Sequence, residues 1–441
     1  MKRKIAAAAA LATVLTAAAC SSSSSGSGTK SQALLSTDGK GKTVTVWLMQ
    51  DAQKGWPDVV NAAVKQFKDE TGAEVKIEWQ NWPNYGTKLD TALLSGNAPD
   101  ALELGNTQTG KYIASGAFVD LTSVKSKFDN SAQWLDSLAA SGESADHSKT
   151  YAIPYYAGVR TVLYRKDLFA AAGVTSTPKT LDEFKTDLDK VKAKNANVPN
   201  FSALYLPGKN WYAALSFGAA YMSDPSKVIA SSDGSKWTGT LTDPGFVKGI
   251  QTWDDFQKNY SVGGTTVDES DQDARMAKGN IAAIVANGWE LSSVIDPKVG
   301  DPKLADKLGT FALPGATADS PAPAFLGGSD LAVPTHAANP GLGAEFLRIF
   351  TNTAQQTALA KFAIPNNKTL LSAYKAASPA NEAAANAAGG KTWFIPNSPF
   401  WSQTSDEVAL QTALSDIATG KDVTSELTTA QTTILTDINA G

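Results

Sequence analysis

The apolar positions of the chain switch repeatedly between the alternating spacing of a strand and the three-to-four spacing of a helix. The run Val44-Thr-Val46-Trp-Leu48 predicts a strand. Val59, Val60, Ala63, Val64 and Phe67 fall on one face of a helix predicted over Pro57 to Glu70, which Thr71-Gly72 closes. Val75, Ile77 and Trp79 alternate with Glu74, Lys76 and Glu78 as a second strand, a helix is predicted over Thr87 to Ser95, and Ala101 to Leu104 reads as a third strand. Strand, helix, strand, helix, strand is the pattern of a parallel α/β sheet. It returns at Val162-Leu-Tyr164, followed by the capping-box start Thr180-Leu-Asp-Glu183 with Leu181, Phe184, Leu188 and Val191 at helical spacing, and at Ile281 to Val285. The last third predicts helices over Gly343–Phe362, Asp406–Ile417 and Val423–Ile438. No short period repeats, which excludes solenoids and propellers. The expectation is an α/β protein of two lobes with several chain crossings and a ligand cleft between them.

The first residues follow another pattern. Lys2, Arg3 and Lys4 precede an apolar stretch from Ile5 to Leu15 and the small residues Ala17 to Ala19, which stand before Cys20. The apolar stretch is too short to remain a bilayer span, so residues 1–19 read as a cleaved secretion signal. A cysteine directly after such a site resembles a bacterial lipoprotein signal, with Cys20 lipidated and the protein held at the outer face of the cell membrane; Ala17 stands where that pattern usually has Leu. Residues 20–42, rich in Ser and Gly, are expected to form a flexible tether.

Composition narrows the chemistry. With 441 residues, 42% hydrophobic and 19% charged, the chain is globular and long enough for two domains. Its formal net charge of −4 becomes more negative once the basic leader is removed, which disfavours nucleic acid as a partner. A single cysteine and the two histidines His147 and His336 cannot build the common zinc sites or an intrachain disulfide. No metal or cofactor is expected. Two histidines also leave little for a Ser/His/Asp arrangement, and no phosphate-cradling glycine motif or HExxH is present.

The 11 tryptophans carry more information. Trp47, Gln50, Asp51 and Trp56; Asn81, Trp82 and Tyr85; Tyr155 and Tyr156; Asn210, Trp211 and Tyr212; Asn287, Trp289 and Glu290; and Trp401 place aromatic rings beside amides or carboxylates, several at the ends of predicted strands. A pyranose has apolar C–H faces and a rim of hydroxyls, so a sugar site needs rings to stack on and polar groups for the rim. For each ring alone, burial in the core explains it equally well. Trp79 and Trp253 read as core. The pair Gly327-Gly328 before Ser329 and Asp330 suits a turn, a close approach of backbone to ligand, or a hinge. Two other readings stay open: a secreted glycosidase using paired carboxylates, and a binder of phosphorylated or cationic solutes, for which Arg160 and Lys209 are the evident cations.

Five segments, in order, resemble the extracellular solute-binding proteins of ABC importers, in the carbohydrate-binding group that includes maltose-binding protein. They are Trp82 to Asp100, Tyr151 to Phe184, Met276 to Glu290, Leu313 to Phe350 and Ile364 to Lys368. Leu102 to Thr109 and Leu204 to Tyr212 are similar to actinobacterial lipoproteins that bind N,N′-diacetylchitobiose. The resemblance implies a non-enzymatic, monomeric protein that passes an oligosaccharide to membrane permease subunits. It implies a first lobe of residues 43–157 and 329–368 and a second of 158–328 and 369–441. It also implies stacking by Trp211, Trp289 and Trp401. Polar contacts are expected from Gln50, Asp51, Asn106, Gln108, Glu290 and the Gly328-Ser329-Asp330 crossing, with Trp82, Tyr155, Tyr156 and Arg160 completing the site. Thr107, Gln108 and Gly158 stand where the maltose-binding relative has Asp, Arg and Glu, which argues against maltose.

Overall fold

The computed structural model describes residues 34–440 apart from Ser235, Ser402 and Gln403; the leader and Cys20 lie outside the described residues. Two sheets organise the chain. The first has six strands, β1 (Thr43–Met49), β2 (Glu74–Gln80), β3 (Ala101–Gly105), β4 (Ala152–Gly158), β11 (Gly327–Ala332) and β12 (Ile364–Pro365), in the order β12-β4-β11-β3-β1-β2. The second has three, β5 (Arg160–Arg165), β8 (Ala283–Asn287) and β9 (Leu308–Phe311), in the order β8-β5-β9. Two small pairs complete the strands: β6 (Ala230–Ser232) with β7 (Trp237–Gly239), and β10 (Ala324–Phe325) with β13 (Thr392–Trp393).

The early alternation expected from the sequence is present. β1 is parallel to β2 and β3, and the intervening helices run over Pro57–Thr71 and Tyr85–Ser95. Within the two main sheets the parallel pattern stops there. β11 lies antiparallel between β3 and β4, and β5 is antiparallel to both its neighbours. β11 begins with two glycines, so its contribution to the first sheet left only a weak local signal. The C-terminal helix expected over Gly343–Phe362 is two helices, Pro340–Phe350 and Thr353–Leu359, because Asn352 Oδ1 accepts from Gln355 N at 2.9 Å and caps a new start. Thr180 caps its helix as expected, accepting from Glu183 N at 3.1 Å, but Glu183 accepts from Lys179 N rather than completing the box at Thr180. Residues 34–42, expected in the tether, are held to the body: Ser36 N donates to Gly341 O and Gly39 N to Thr71 O, each at 3.1 Å, while Leu35 packs on the core.

Each sheet carries its own apolar core. Val44, Val46, Leu48, Phe67, Leu331 and Phe346 belong to the first, and Val162, Phe184, Phe217, Trp253 and Leu414 to the second. A smaller cluster containing Ala157, Val159, Leu326, Ile364 and Tyr374 sits where the chain passes from one sheet to the other. Val159 alone separates β4 from β5, and Leu326 separates β10 from β11.

In the second core the helices Trp211–Ala219 and Pro244–Tyr260 approach closely at Gly249, where a Cβ would meet Phe217 O at 2.3 Å and Gly218 Cα at 2.5 Å. Alanine favours a helix over glycine by about 1 kcal/mol, but overlap with backbone atoms forces the helices apart at a cost of about 1–3 kcal/mol. Gly249→Ala is therefore expected to lower the melting temperature by several degrees in a thermal scan, whereas Gln251→Ala on the exposed side of the same helix leaves it unchanged.

Candidate functional site

The strands of both sheets end at a cleft of about 970 Å³. From the first sheet come Asp51 after β1, Trp82 after β2, and Tyr156 to Gly158 at the end of β4. From the second come Thr161 and Leu163 of β5, Asn287 at the end of β8, Trp289 beyond it, and Thr310 of β9. Loops beyond the carboxyl ends of strands are free of ladder bonds and open to a ligand.

Two tryptophans offer their faces. Trp82 is 41% exposed and Trp289 60% exposed, unusual values for so large an apolar side chain, and both line the cleft. Trp82 is held in place because its Nε1 donates to Asp51 Oδ2 at 2.7 Å and its ring meets the edge of Tyr85 at 6.3 Å. Trp289 stands in the first turn of the helix Gly288–Val294, fixed by the capping box of Asn287 and Glu290. Among the lining residues only Asp51 is a carboxylate and only Lys54 a cation, so the wall is largely apolar, aromatic and aliphatic, with neutral polar groups between.

Other expected site residues lie behind this surface. Trp211, 1% exposed, begins a helix whose residues are nearly all buried, so its ring is drawn into the core; it stacks on Tyr212 at 4.0 Å. Trp401 is 8% exposed and belongs to the same apolar cluster. Tyr155 is fully buried, packed on Phe350, with its hydroxyl accepting from Trp56 Nε1 at 2.7 Å. Glu290 is buried as a capping residue: Oε1 accepts from Asn287 N at 2.8 Å and Oε2 from Gln272 Nε2 at 2.8 Å. Asn106, also buried, donates from Nδ2 to Leu326 O at 3.2 Å. Asp330 Oδ2 accepts from Thr109 Oγ1 at 2.7 Å and Ser141 Oγ at 2.9 Å, and Ser329 beside it is buried too. Gly328 has φ 153° and its Cβ position lies 2.2 Å from Tyr156 O, so the glycine serves strand packing. Gln50, Gln108 and Arg160 are half-buried and not among the lining residues.

Arg160 is also occupied. Its Nε donates to Glu269 Oε2 at 2.8 Å, its Nη2 to Glu269 Oε1, and its guanidinium lies 3.8 Å over the ring of Tyr212. Burial works against its charge, but the pairing with Glu269 outweighs it and raises its pKa. An arginine already neutralised in this way is a poor phosphate anchor, which disfavours the phosphorylated-solute reading. Paired carboxylates for glycoside hydrolysis are likewise not found among the described lining residues. Phe362, 55% exposed, together with Tyr374 and Asn381, lines the cleft without having been expected. An exposed phenylalanine just before Ile364 was the available signal.

Two lobes closing on a cleft at their strand ends define a binding architecture. The fold is similar to that of the sugar-binding protein MalE of Xanthomonas citri, at a TM-score of 0.76 and 18% identity over 90% of this chain and 98% of that one. A solute-binding protein from Thermotoga lettingae, solved with bound α-D-tagatose, aligns at a TM-score of 0.67 and 21% identity, over 90% and 99% of the chains. Residues 62–388 match the family of bacterial extracellular solute-binding proteins, and the chain belongs to that family. Among its relatives is the diacetylchitobiose-binding protein DasA of Streptomyces coelicolor, 36% identical over 388 residues, which are 86% of either chain. Such proteins bind solutes outside the cytoplasm and are not enzymes; the glycosidase reading has no support from them. No helix among the described residues is long and apolar enough to cross a membrane.

Three buried carboxyls behind the cleft surface, Glu103, Glu290 and Asp330, are each raised to about 7, with burial the largest cause in every case. Below their unfolded pKa values both states are protonated and no stability is lost. Above them the unfolded chain releases protons that the fold retains, so stability falls as pH rises toward 7 and levels off beyond it. The melting temperature is expected to be higher near pH 5.5 than near pH 8, and Asp330→Asn, which keeps an acceptor for Thr109 and Ser141, to reduce that difference in a pH series of thermal scans.

Proposed function

We propose that this protein captures an oligosaccharide, N,N′-diacetylchitobiose or a related disaccharide, and delivers it to the permease subunits of an ABC importer. The observation that carries the reading is the pair of exposed tryptophans, Trp82 and Trp289, projecting into one cleft from the ends of different sheets, in a chain 36% identical to a diacetylchitobiose-binding protein. In this reading the rings of Trp82 and Trp289 take the apolar faces of the sugar. Asp51, Tyr156 and Asn287 meet its polar rim, while Gln50 and Gln108 reach it as the lobes close.

In this reading the lobes are residues 43–157 with 329–368 and residues 158–328 with 369–441, and they turn about the crossings near Val159 and Leu326. Closure couples recognition to delivery, because only the liganded form presents both lobes to the permease in one arrangement. The protein acts as a monomer tethered through a lipid on Cys20.

Titration calorimetry of the purified protein with N,N′-diacetylchitobiose, maltose and cellobiose tests the reading. Micromolar or tighter binding of the first, with the sugar recovered intact, is the expected result; silence toward all three sinks it. Trp289→Ala removes one stacking face and is expected to weaken binding on the order of tenfold, the scale of one aromatic stack at 1–3 kcal/mol. An unchanged affinity removes Trp289 from the site. Cys20→Ser is expected to shift the protein from the membrane fraction to the medium.

A further inference from the structure

The side of the cleft built on the first sheet converges on a residue that does not line it. Glu103, in the middle of β3, is 1% exposed. Its Oε2 accepts from Met49 N at 2.9 Å, and Met49 immediately precedes the helix that carries Asp51. Its backbone carbonyl accepts from the Tyr85 hydroxyl at 2.6 Å, and the Tyr85 ring supports Trp82. The hydroxyls of Ser329, on β11, and Tyr156, on β4, lie close enough to favour its charged form, yet neither Glu103 Oε1 nor Ser329 Oγ completes a hydrogen bond of good geometry. A buried carboxylate oxygen left incomplete beside the hydroxyls of buried Ser329 and cleft-lining Tyr156 is costly, and such groups call for an explanation.

We propose that Glu103 is a proton-responsive positioning residue for the cleft. It ties the supports of Asp51, Trp82 and Tyr156 to one buried point, and its protonation state decides whether the Tyr156 hydroxyl, the one of the two that belongs to a cleft-lining residue, donates to it or to a ligand. As a carboxylate, Glu103 draws that hydroxyl proton toward itself and leaves a ligand facing a lone pair. As a neutral acid it has its own proton to donate to the neighbouring hydroxyls, freeing Tyr156 to donate into the cleft.

The groups that face it are Asp51 from the helix after β1, Tyr85 from the helix after β2, and Tyr155 and Tyr156 from β4. The three tyrosines stay protonated, since burial first and Glu103 second hold each well above its usual value. Burial, with Asp51 adding to it, brings the Glu103 carboxyl to about 7, within reach of ordinary pH changes. A ligand group that accepts from the Tyr156 hydroxyl takes that donor away from Glu103 and favours the neutral acid. Binding therefore takes up a proton above pH 7, and affinity falls as pH rises.

The inference rests on the sugar-binding reading for its probe but can be tested apart from it. Calorimetry with N,N′-diacetylchitobiose, in buffers of different ionisation enthalpy, is expected to show proton uptake and an affinity at least about threefold weaker at pH 8.5 than at pH 6, since one linked proton allows up to tenfold per unit. Glu103→Gln, neutral at every pH and still an acceptor for Met49 N, is expected to bind with no such slope. An equal slope in both proteins, or no proton uptake by the unmodified one, overturns the proposal. Without any sugar, carboxyl and ring-carbon NMR of the protein labelled at Glu and Tyr is expected to show Glu103 and Tyr156 shifting together near pH 7. A Glu103 signal titrating in the ordinary carboxylate range, or Tyr156 ignoring that titration, overturns it whether or not the sugar binds. Joint titration with silence toward sugars leaves Glu103 as the cleft switch and discards only the ligand.

Discussion

β11 is the strand on which the first lobe depends. It fills the gap between β3 and β4, and without it the first sheet is two unconnected parts. Its residues arrive only after the chain has built the second sheet: Thr109 and Asp330, 221 positions apart, share a hydrogen bond. The close fit accounts for Gly328, whose neighbour Tyr156 O leaves no room for a side chain. The pairing with β4 slips between Ser329 and Asp330, where Tyr155 of β4 is the extra residue. Contacts this distant in sequence carry a large loop-closure cost and form late, so the first lobe is complete only when the chain has returned.

That inserted strand explains why so much polar chemistry is buried behind the cleft. β11 brings Ser329 beside Glu103 and Asp330 against Thr109 and Ser141, while Leu326 just before it receives the Asn106 amide. Each is a polar group withdrawn from water and offset by partners contributed from distant parts of the chain. The surface they support is simple by comparison: a few rings, one carboxylate and one cation. Rigid support beneath a largely apolar wall suits a protein that must recognise a flat, hydroxyl-rimmed solute and then release it unchanged.

The legible parts of the fold were those made by local pattern. β1, β2 and β3 and the helices between them stand where alternation and helical spacing put them, and Leu181, Phe184, Leu188 and Val191 are all buried along one helix face. β11 and the antiparallel second sheet were not legible, because pairing partners far apart in sequence leave no period to read. The site divides in the same way. Asp51, Trp82 and Trp289 follow strand ends directly, and strand ends were visible. Trp211 and Tyr155 had the right residue types beside the right neighbours, yet packing turned them inward; their burial depends on which helix or sheet covers them.

By itself, then, the order of residues determined an α/β protein with rings waiting at strand ends, since side-chain period and turn chemistry are properties of adjacent residues. Which rings reach the cleft was decided only by the tertiary structure. Glu290 and Asp330 carry the same chemistry as Asp51, but a helix start and an inserted strand consume their oxygens, and only Asp51 is left facing the open space between the lobes. Hydrogen-bond capacity is finite, and the fold spends it before a ligand arrives.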